Sequence, residues 1–269
     1  MKFGFVLPFG DARIAADLAR EAELTGWDGF FMWEPICRVD AWIGLTAAAM
    51  QTSRIRLGTL LTPISRMRPW DVASKSATLD NLSAGRFILS IGLGAIGTGF
   101  AEFGEETDLK LRAQRVDEGL DIVTGLWQGQ PFNYSGNHYH MQDVADAEPP
   151  RPVQQPRIPI GVVGAWPHTN SMTRALKYDG LIPQGMHGDS DAGYREFSVM
   201  MGVVSRRADE TPFDVVIDYK VSQQQPRAEP NTLRRWSEAG ATWWIEGLWE
   251  ATEQTQVQQH ILQGPPQYA

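Results

Sequence analysis

Residues Arg54 to Gly94 have the sequence RIRLGTLLTPISRMRPWDVASKSATLDNLSAGRFILSIGLG, and the prediction of the fold starts from them. The stretch contains an apolar strand, a loop, a helix that begins at Pro69, a turn at Gly85 and a second strand that runs into a glycine-rich loop. Two strands joined through a helix are parallel, because such a crossover returns the chain to the same end of the sheet. The number of such units in the chain then determines the fold class.

The same alternation of strands and helices continues on both sides of this stretch. Eight helical segments alternate with the strands, and a hairpin around Ser135 and Gly136 lies between the fourth and fifth strands. Regular alternation over residues 1–269 predicts a single (β/α)8 TIM barrel, with a doubly wound parallel sheet as the alternative. In chain order the eight predicted strands are KFGFVLP, GFFMW, RIRLGTLL, RFILSIG, IPIGVVG, DGLIP, PFDVVIDYKVS and ATWWIE.

Composition and charge limit the kinds of partner that the chain is expected to have. The formal net charge of −8 disfavours nucleic acid or an anionic membrane surface as the main partner. Cys37 is the single cysteine, so a disulfide within the chain is impossible and no oxidising compartment is required. Since neither a signal peptide nor a run of about 20 apolar residues is recognisable, the expected location is cytoplasmic.

The glycine-rich loop after the fourth predicted strand has more than one interpretation. Its sequence GLGAIG, from Gly92 to Gly97, matches the G-x-G-x-x-G pattern of dinucleotide-binding folds. That pattern leads directly into a helix, whereas the next helical segment here begins near Leu111. We therefore expect a loop at the barrel mouth, where Gly94 and its neighbours bring bare backbone close to a planar ligand or a phosphate. A glycine-rich turn without a ligand is the alternative.

A second candidate binding segment lies where the fifth predicted strand meets a short helix. Gly164, Ala165 and Thr169 occupy this junction. The free backbone N–H groups at the start of a helix attract anions, so a phosphate is the expected ligand. Simple N-capping by Thr169 or Asn170 is the alternative.

The titratable residues include one candidate for proton transfer. Glu34 follows the second predicted strand, where it could act as an acid, a base or a hydrogen-bond partner; an exposed loop carboxylate is the alternative. His138 and His140 are predicted to share one face of a strand, but a third ligand is missing, so no metal site is expected. The chain also lacks the G-x-S-x-G pattern of serine hydrolases.

Taken together, these segments resemble the bacterial luciferase-like flavin monooxygenases and their deazaflavin-dependent relatives. The resemblance covers most of the chain and implies a (β/α)8 barrel that binds its cofactor at the C-terminal mouth. It implies a monooxygenase that uses reduced FMN and O2 on a small organic substrate, with a separate flavin reductase and a homodimer left open. A deazaflavin-dependent reductase or dehydrogenase and a non-catalytic flavin-binding protein are the alternatives. The similar segments are AREAELTGWDGFFMW, TSRIRLGTLLTP, SATLDNLSAGRFILSIGLG, RVDEGLDIVTGLWQGQPF and PPRPVQQPRIPIGVVG.

The resemblance also implies roles for individual residues. The third strand is expected to end in a bulge under the flavin ring, often with a non-prolyl cis peptide, and the strand-five junction is expected to hold the phosphate. Catalytic roles are expected for Glu34 and Thr62. The residues expected to bind the cofactor are Leu60, Leu61, Thr62, Gly92, Gly94, Ala95, Gly164, Ala165, Trp166 and Thr169.

The chain departs from the family pattern at two positions that bear on the reaction. Many relatives have Asp-His at the end of the second strand, where this chain has Trp33 and Glu34. The deazaflavin-dependent sugar-phosphate dehydrogenases have a glutamate in the strand-four loop, where this chain has Ala95. Dehydrogenation with the usual histidine base is therefore disfavoured.

Overall fold

The computed structural model describes residues 1–129, 131–142, 150–187, 190–207, 211–222 and 227–267. Within these ranges eight barrel strands alternate with eight α-helices. The strands are β1 (Lys2–Leu7), β2 (Gly29–Met32), β3 (Arg56–Thr59), β4 (Phe87–Gly92), β5 (Ile160–Ala165), β6 (Gly180–Gln184), β7 (Asp214–Lys220) and β8 (Trp243–Gly247). The helices are α1 (Ala12–Thr25), α2 (Ala41–Gln51), α3 (Pro69–Leu82), α4 (Leu109–Gln128), α5 (Thr169–Ala175), α6 (Asp191–Val204), α7 (Pro230–Glu238) and α8 (Gln254–Leu262).

The eight strands form a closed parallel barrel. Hydrogen-bonded neighbours follow the order β3-β2-β1-β8-β7-β6-β5-β4, and β3 pairs with β4 to close the ring. Such closure confirms the predicted (β/α)8 TIM barrel and excludes the doubly wound sheet, which would leave two open edges. The short segment Thr62–Pro63 is an additional strand bonded to the end of β4.

The predicted hairpin between the fourth and fifth strands is present. Tyr134–Ser135 pairs antiparallel with His140–Met141. Glu118 of α4 fastens the turn, because its carboxylate accepts the backbone N–H groups of residues 137–139 at 2.8 to 3.0 Å. His138 lies in this turn and not on a strand, so the expectation that the two histidines of this segment share a strand face is wrong.

Local sequence signals set the bounds of several helices. Asp11, Asp40 and Asp108 precede α1, α2 and α4, and each side chain accepts a backbone N–H of the first turn. Gly26 ends α1 with a φ of 92°, a conformation that costs glycine little. Pro69 begins α3, where its missing N–H is of no consequence.

Apolar side chains fill two compartments, one inside the barrel and one between the strands and the helices. Consecutive residues of a strand point to opposite sides, so Phe31 of β2 lies inside the barrel while Phe30 packs against the helices. Val6, Ile182, Val216, Trp243 and Ile245 fill the interior together with Phe31. Among the described helices none is long and apolar enough to cross a membrane.

Candidate active site

A cavity of about 670 Å³ opens at the C-terminal ends of the barrel strands. This volume is typical of small-molecule and cofactor sites, and barrel enzymes carry their chemistry at this face. Its apolar wall includes Trp33, Leu60, Leu61 and Trp249. Besides the two indoles, seven polar or charged side chains line the wall: Glu34, Thr98, Arg112, Ser171, Arg174, Gln184 and Asp218.

The end of β3 forms one side of the cavity. The peptide bond between Leu60 and Leu61 is cis, and both leucines line the cavity. Thr62 is fully buried behind them, and its hydroxyl donates a hydrogen bond to Glu34. The interruption of the strand and the non-prolyl cis peptide therefore lie at the residues for which the resemblance predicted a bulge.

The loop after β4 approaches the end of β3 closely. A Cβ atom on Gly92 would lie 2.8 Å from the Leu61 side chain, and one on Gly94 would lie 2.8 Å from Pro63. Gly94 also has a φ of 78°, which side chains other than glycine rarely adopt. Gly92, Gly94 and the exposed Ala95 all line the cavity, so the loop presents bare backbone to it as the sequence predicted.

Arg112 of α4 holds this loop and faces the cavity. Its Nη2 atom donates hydrogen bonds to the backbone oxygens of Leu93, at 2.6 Å, and Gly94. The guanidinium lies 5.0 Å from the ring centre of Phe100, and the residue is only 4% exposed. Burial lowers the pKa of Arg112, its Nε atom has no partner, and no described carboxylate forms an ion pair with it. A buried cation that lines the cavity without a described carboxylate partner is suited to an anionic group of a ligand.

The junction between β5 and α5 contributes fewer residues to the wall than the sequence predicted. Ala165 lines the cavity, and its N–H donates to Ser171 Oγ at 2.9 Å. Gly164 points away from the cavity, because consecutive strand residues alternate, and a Cβ on it would meet Leu181. His168, not Thr169 or Asn170, occupies the N-cap position of α5, and its side chain makes no capping bond.

Four residues predicted to bind the cofactor are therefore absent from the cavity wall: Thr62, Gly164, Trp166 and Thr169. The six that line it are Leu60, Leu61, Gly92, Gly94, Ala95 and Ala165.

The carboxyl group of Glu34 is fixed by hydrogen bonds at the cavity wall, so Glu34 is not an exposed loop residue. Thr62 donates to its Oε1 atom, and the indole Nε1 of Trp42 donates to its Oε2 atom at 3.1 Å. Arg66 donates to the backbone oxygen of Glu34 at 3.1 Å. Burial raises the pKa of Glu34 to about 7, although the two hydrogen bonds and the charge of Arg66 oppose the shift. The group can therefore both accept and donate a proton near neutral pH.

Three charged residues of the wall were not predicted from the sequence. Arg112 lies on the same helix stripe as the buried residues Val116 and Leu120, and a charge within an apolar stripe was a usable signal. Asp218 lies two residues after the inward-pointing Val216, so strand alternation alone places it in the mouth. Arg174 gives no such signal. Its side chain on α5 is bound by Asp117 on α4 at 2.6 and 2.8 Å, and a pairing between two helices is not visible in the sequence.

Comparison with known proteins relates the whole chain to one family. A family model described as luciferase-like monooxygenase matches residues 1–266. The F420-dependent glucose-6-phosphate dehydrogenase of Kineococcus radiotolerans is 29% identical over 249 residues, which cover 84% of this chain and 69% of that protein. F420-dependent glucose-6-phosphate dehydrogenase 1 of Rhodococcus jostii is 29% identical over 214 residues, which cover 75% of this chain and 60% of that protein.

A solved structure has the same fold. The coenzyme F420 dependent tetrahydromethanopterin reductase from Methanopyrus kandleri matches with a TM-score of 0.76 over 97% of this chain and 96% of that chain. At 18% identity the likeness shows the fold alone.

Proposed function

The chain belongs to the luciferase-like monooxygenase family and is an oxidoreductase that works with a flavin or deazaflavin, and from this premise we propose that it transfers a hydride between coenzyme F420 and a small organic substrate. The proposal reverses the order of preference drawn from the sequence, in which reduced FMN with O2 came first and a deazaflavin second. The names of the two dehydrogenases, both F420-dependent, support the change.

The wall of the cavity suits a cofactor of this kind. Leu60 and Leu61 offer an apolar surface for a planar ring, and the backbone at Gly92 and Gly94 can approach it without a side chain in between. The positive charge of Arg112, which lines the cavity, would attract the phosphate that such cofactors carry. These residues would hold the group in the part of the mouth formed by β3, β4 and α4.

The place of Glu34 in the cavity wall, where Thr62 and Trp42 hold its carboxyl group, is the observation that carries the proposal. The bound deazaflavin supplies hydride transfer. Oxidation of an alcohol also releases the hydroxyl proton, and reduction of a carbonyl consumes one. Glu34 faces the cavity with a pKa of about 7, so its carboxylate can accept that proton and its acid form can donate one. It stands directly after Trp33 at the end of β2, where many relatives have a histidine.

Oxygenation with reduced FMN is the second candidate, and the apolar wall favours it. The indoles of Trp33 and Trp249 meet edge to face at 5.5 Å, beside Leu60 and Leu61. A dry wall of this kind would exclude water from a reactive flavin.

Two measurements test the proposal. Titration of the purified chain with coenzyme F420 and with FMN, followed by cofactor fluorescence, should give tighter binding of F420. Anaerobic mixing with a panel of alcohols should then reduce the bound F420. Binding of FMN alone, with O2 consumption on substrate addition, would establish the second candidate instead. Tight binding of either cofactor without turnover would leave a flavin-binding protein.

A further inference from the structure

Three side chains on β6 and β7 face the mouth of the barrel without a hydrogen bond or ion pair in the described ranges, although the charge of Lys220 acts on Asp218. Asp218 and Lys220 follow Val216 on the inward side of β7, and Asp218 is paired in register with Ile245 inside the barrel. Gln184 ends the neighbouring strand β6. The side chains of Gln184, Asp218 and Lys220 make no hydrogen bond or ion pair with any residue in the described ranges.

These groups adjoin the main cavity and a second one. Asp218 and Gln184 line the main cavity and also a neighbouring cavity of about 560 Å³, which Lys220 lines as well. The two spaces meet at β6 and β7, opposite the end of β3. The side chains are thus accessible to a molecule in the mouth.

Asp218 differs from the other charged residues of the main cavity. Glu34 receives two side-chain hydrogen bonds, Arg174 is bound by Asp117, and Arg112 holds two backbone oxygens. Asp218 keeps all of its acceptor positions open to the solvent of the cavity, while the surrounding wall restricts water enough to raise its pKa. A ligand that covers this carboxylate without donating a hydrogen bond would leave it buried and unsatisfied, which is costly.

An aromatic wall joins Asp218 to the candidate proton-transfer group. Around the barrel the strands follow the order β7-β8-β1-β2, with Asp218 on β7 and Glu34 directly after β2. Trp249 follows β8 and Trp33 follows β2, and their rings are in edge-to-face contact at the wall of the cavity that Glu34 and Asp218 also line. A ring-shaped body can stack on one of these perpendicular indoles and meet the edge of the other, within the same cavity as both carboxyl groups.

We propose that Asp218 accepts a hydrogen bond from the substrate, and that the substrate is a small ring compound with a hydroxyl or amine group remote from the reacting carbon. This inference deepens the proposed function and rests on it only in placing the substrate in this cavity. Asp218 is the specificity-determining residue, and Glu34 acts at the reacting end.

Calorimetry on the full chain with three probes of equal shape tests the inference, in the absence and in the presence of coenzyme F420. The probes are 2-phenylethanol, 2-phenylethylamine and phenylacetate. The wild type should bind the alcohol and the amine roughly 10-fold or more tightly than the anionic phenylacetate, and Asp218→Ala should abolish this preference. Asp218→Asn should keep binding of the alcohol and lose that of the amine, since only the amine needs the negative charge.

Asp17→Ala provides the control, because it removes an exposed carboxylate of α1 that lines neither cavity. It should leave the preference for the alcohol and the amine in place. Tighter binding of phenylacetate by the wild type, a preference that survives Asp218→Ala, or no binding of any probe overturns the inference. The F420 titration is independent of these results: a chain that does not bind F420 but shows the Asp218-dependent preference retains this inference and loses the proposed function.

Discussion

Glu34 holds its proton about half of the time near pH 7, because burial outweighs the two hydrogen bonds and the charge that favour the ionised form. For alcohol oxidation the ionised form is the active base, so kcat/KM should rise with pH through an inflection near 7 and level off above it. Glu34→Gln should remove the inflection and lower kcat/KM by roughly 10²- to 10⁴-fold. A pH series of initial rates for both proteins measures this.

A second variant separates proton transfer from a purely structural role of Glu34. Thr62→Val keeps the shape of the buried side chain but removes the hydroxyl that donates to Glu34. The inflection should then move to higher pH, because a bond that favoured the carboxylate is lost. Thr78→Val, at an exposed threonine bonded only within α3, should leave it in place. An inflection at the same pH in Thr62→Val as in the wild type would contradict the role given to Glu34.

Arg112 is the residue on which cofactor binding should depend most. Arg112→Met removes the positive charge at the cavity wall and the two bonds that hold the loop after β4. We expect F420 to bind roughly 10- to 100-fold more weakly, the usual effect of losing a charged hydrogen bond. Arg115→Met, one turn along α4 and outside the cavity, serves as the control and should change binding less than about 2-fold. Equal effects of the two variants would rule out an anion site at Arg112.

Among the structural elements, the hairpin after α4 is bound to that helix through Glu118, with a further contact between His138 and Gln114 at 3.1 Å. Glu118 accepts three backbone N–H groups of its turn, whereas the two strands are only two residues long. Glu118→Ala should therefore speed hydrogen exchange across residues 134–141 strongly while changing the melting temperature of the barrel little. Asp121→Ala, on the same helix but with no bond to the hairpin in the described ranges, provides the comparison. Unchanged exchange in Glu118→Ala would show that the hairpin is held by other contacts.

The elements also show which sequence signals were reliable. The caps at Asp11 and Asp40, the glycine at position 26 and Pro69 act within one helix turn, so the residues that form the signal are neighbours in the chain. The N-cap of α5 is His168, one residue before the two capping candidates Thr169 and Asn170, and the strand before it runs to Ala165, one residue further than expected. Helix bounds thus follow from sequence where a single strong cap is present.

For the molecule as a whole, the raised pKa of Glu34 predicts how the free energy of unfolding changes with pH. Its pKa is about 7 in the folded protein against 4.5 in an unfolded chain. Between these values the folded state binds more protons than the unfolded state, so the free energy of unfolding falls as the pH rises through this window and is lowest above pH 7. The loss is at most about 3 kcal/mol.

Urea denaturation at pH 5 and pH 8 measures this effect. The wild type should unfold at a lower urea concentration at pH 8 than at pH 5, and Glu34→Gln should reduce the difference between the two midpoints. A difference that is the same in both proteins would assign the pH dependence to other groups.

The order of strands and helices followed from the amino-acid sequence alone, because apolar periodicity, caps and turn residues act over a few positions. Closure of the barrel follows from that order, and with it the position of the loops after β2, β3 and β4 around one mouth. For this reason the sequence pattern identified Glu34, Gly92 and Gly94 as candidate site residues, and the family resemblance added Leu60, Leu61 and Ala95; all six line the cavity.

The chemical state of these groups depends on residues far apart in the chain. Burial raises the pKa of Glu34 and a hydrogen bond from Thr62, 28 positions away, opposes the shift, while Arg112 binds backbone oxygens that are 18 and 19 positions away. Gly164 and Gly92 are alike in sequence terms, yet only Gly92 faces the cavity. Burial, charge pairing and side-chain direction depend on residues that only folding brings together, so only the assembled barrel determines them.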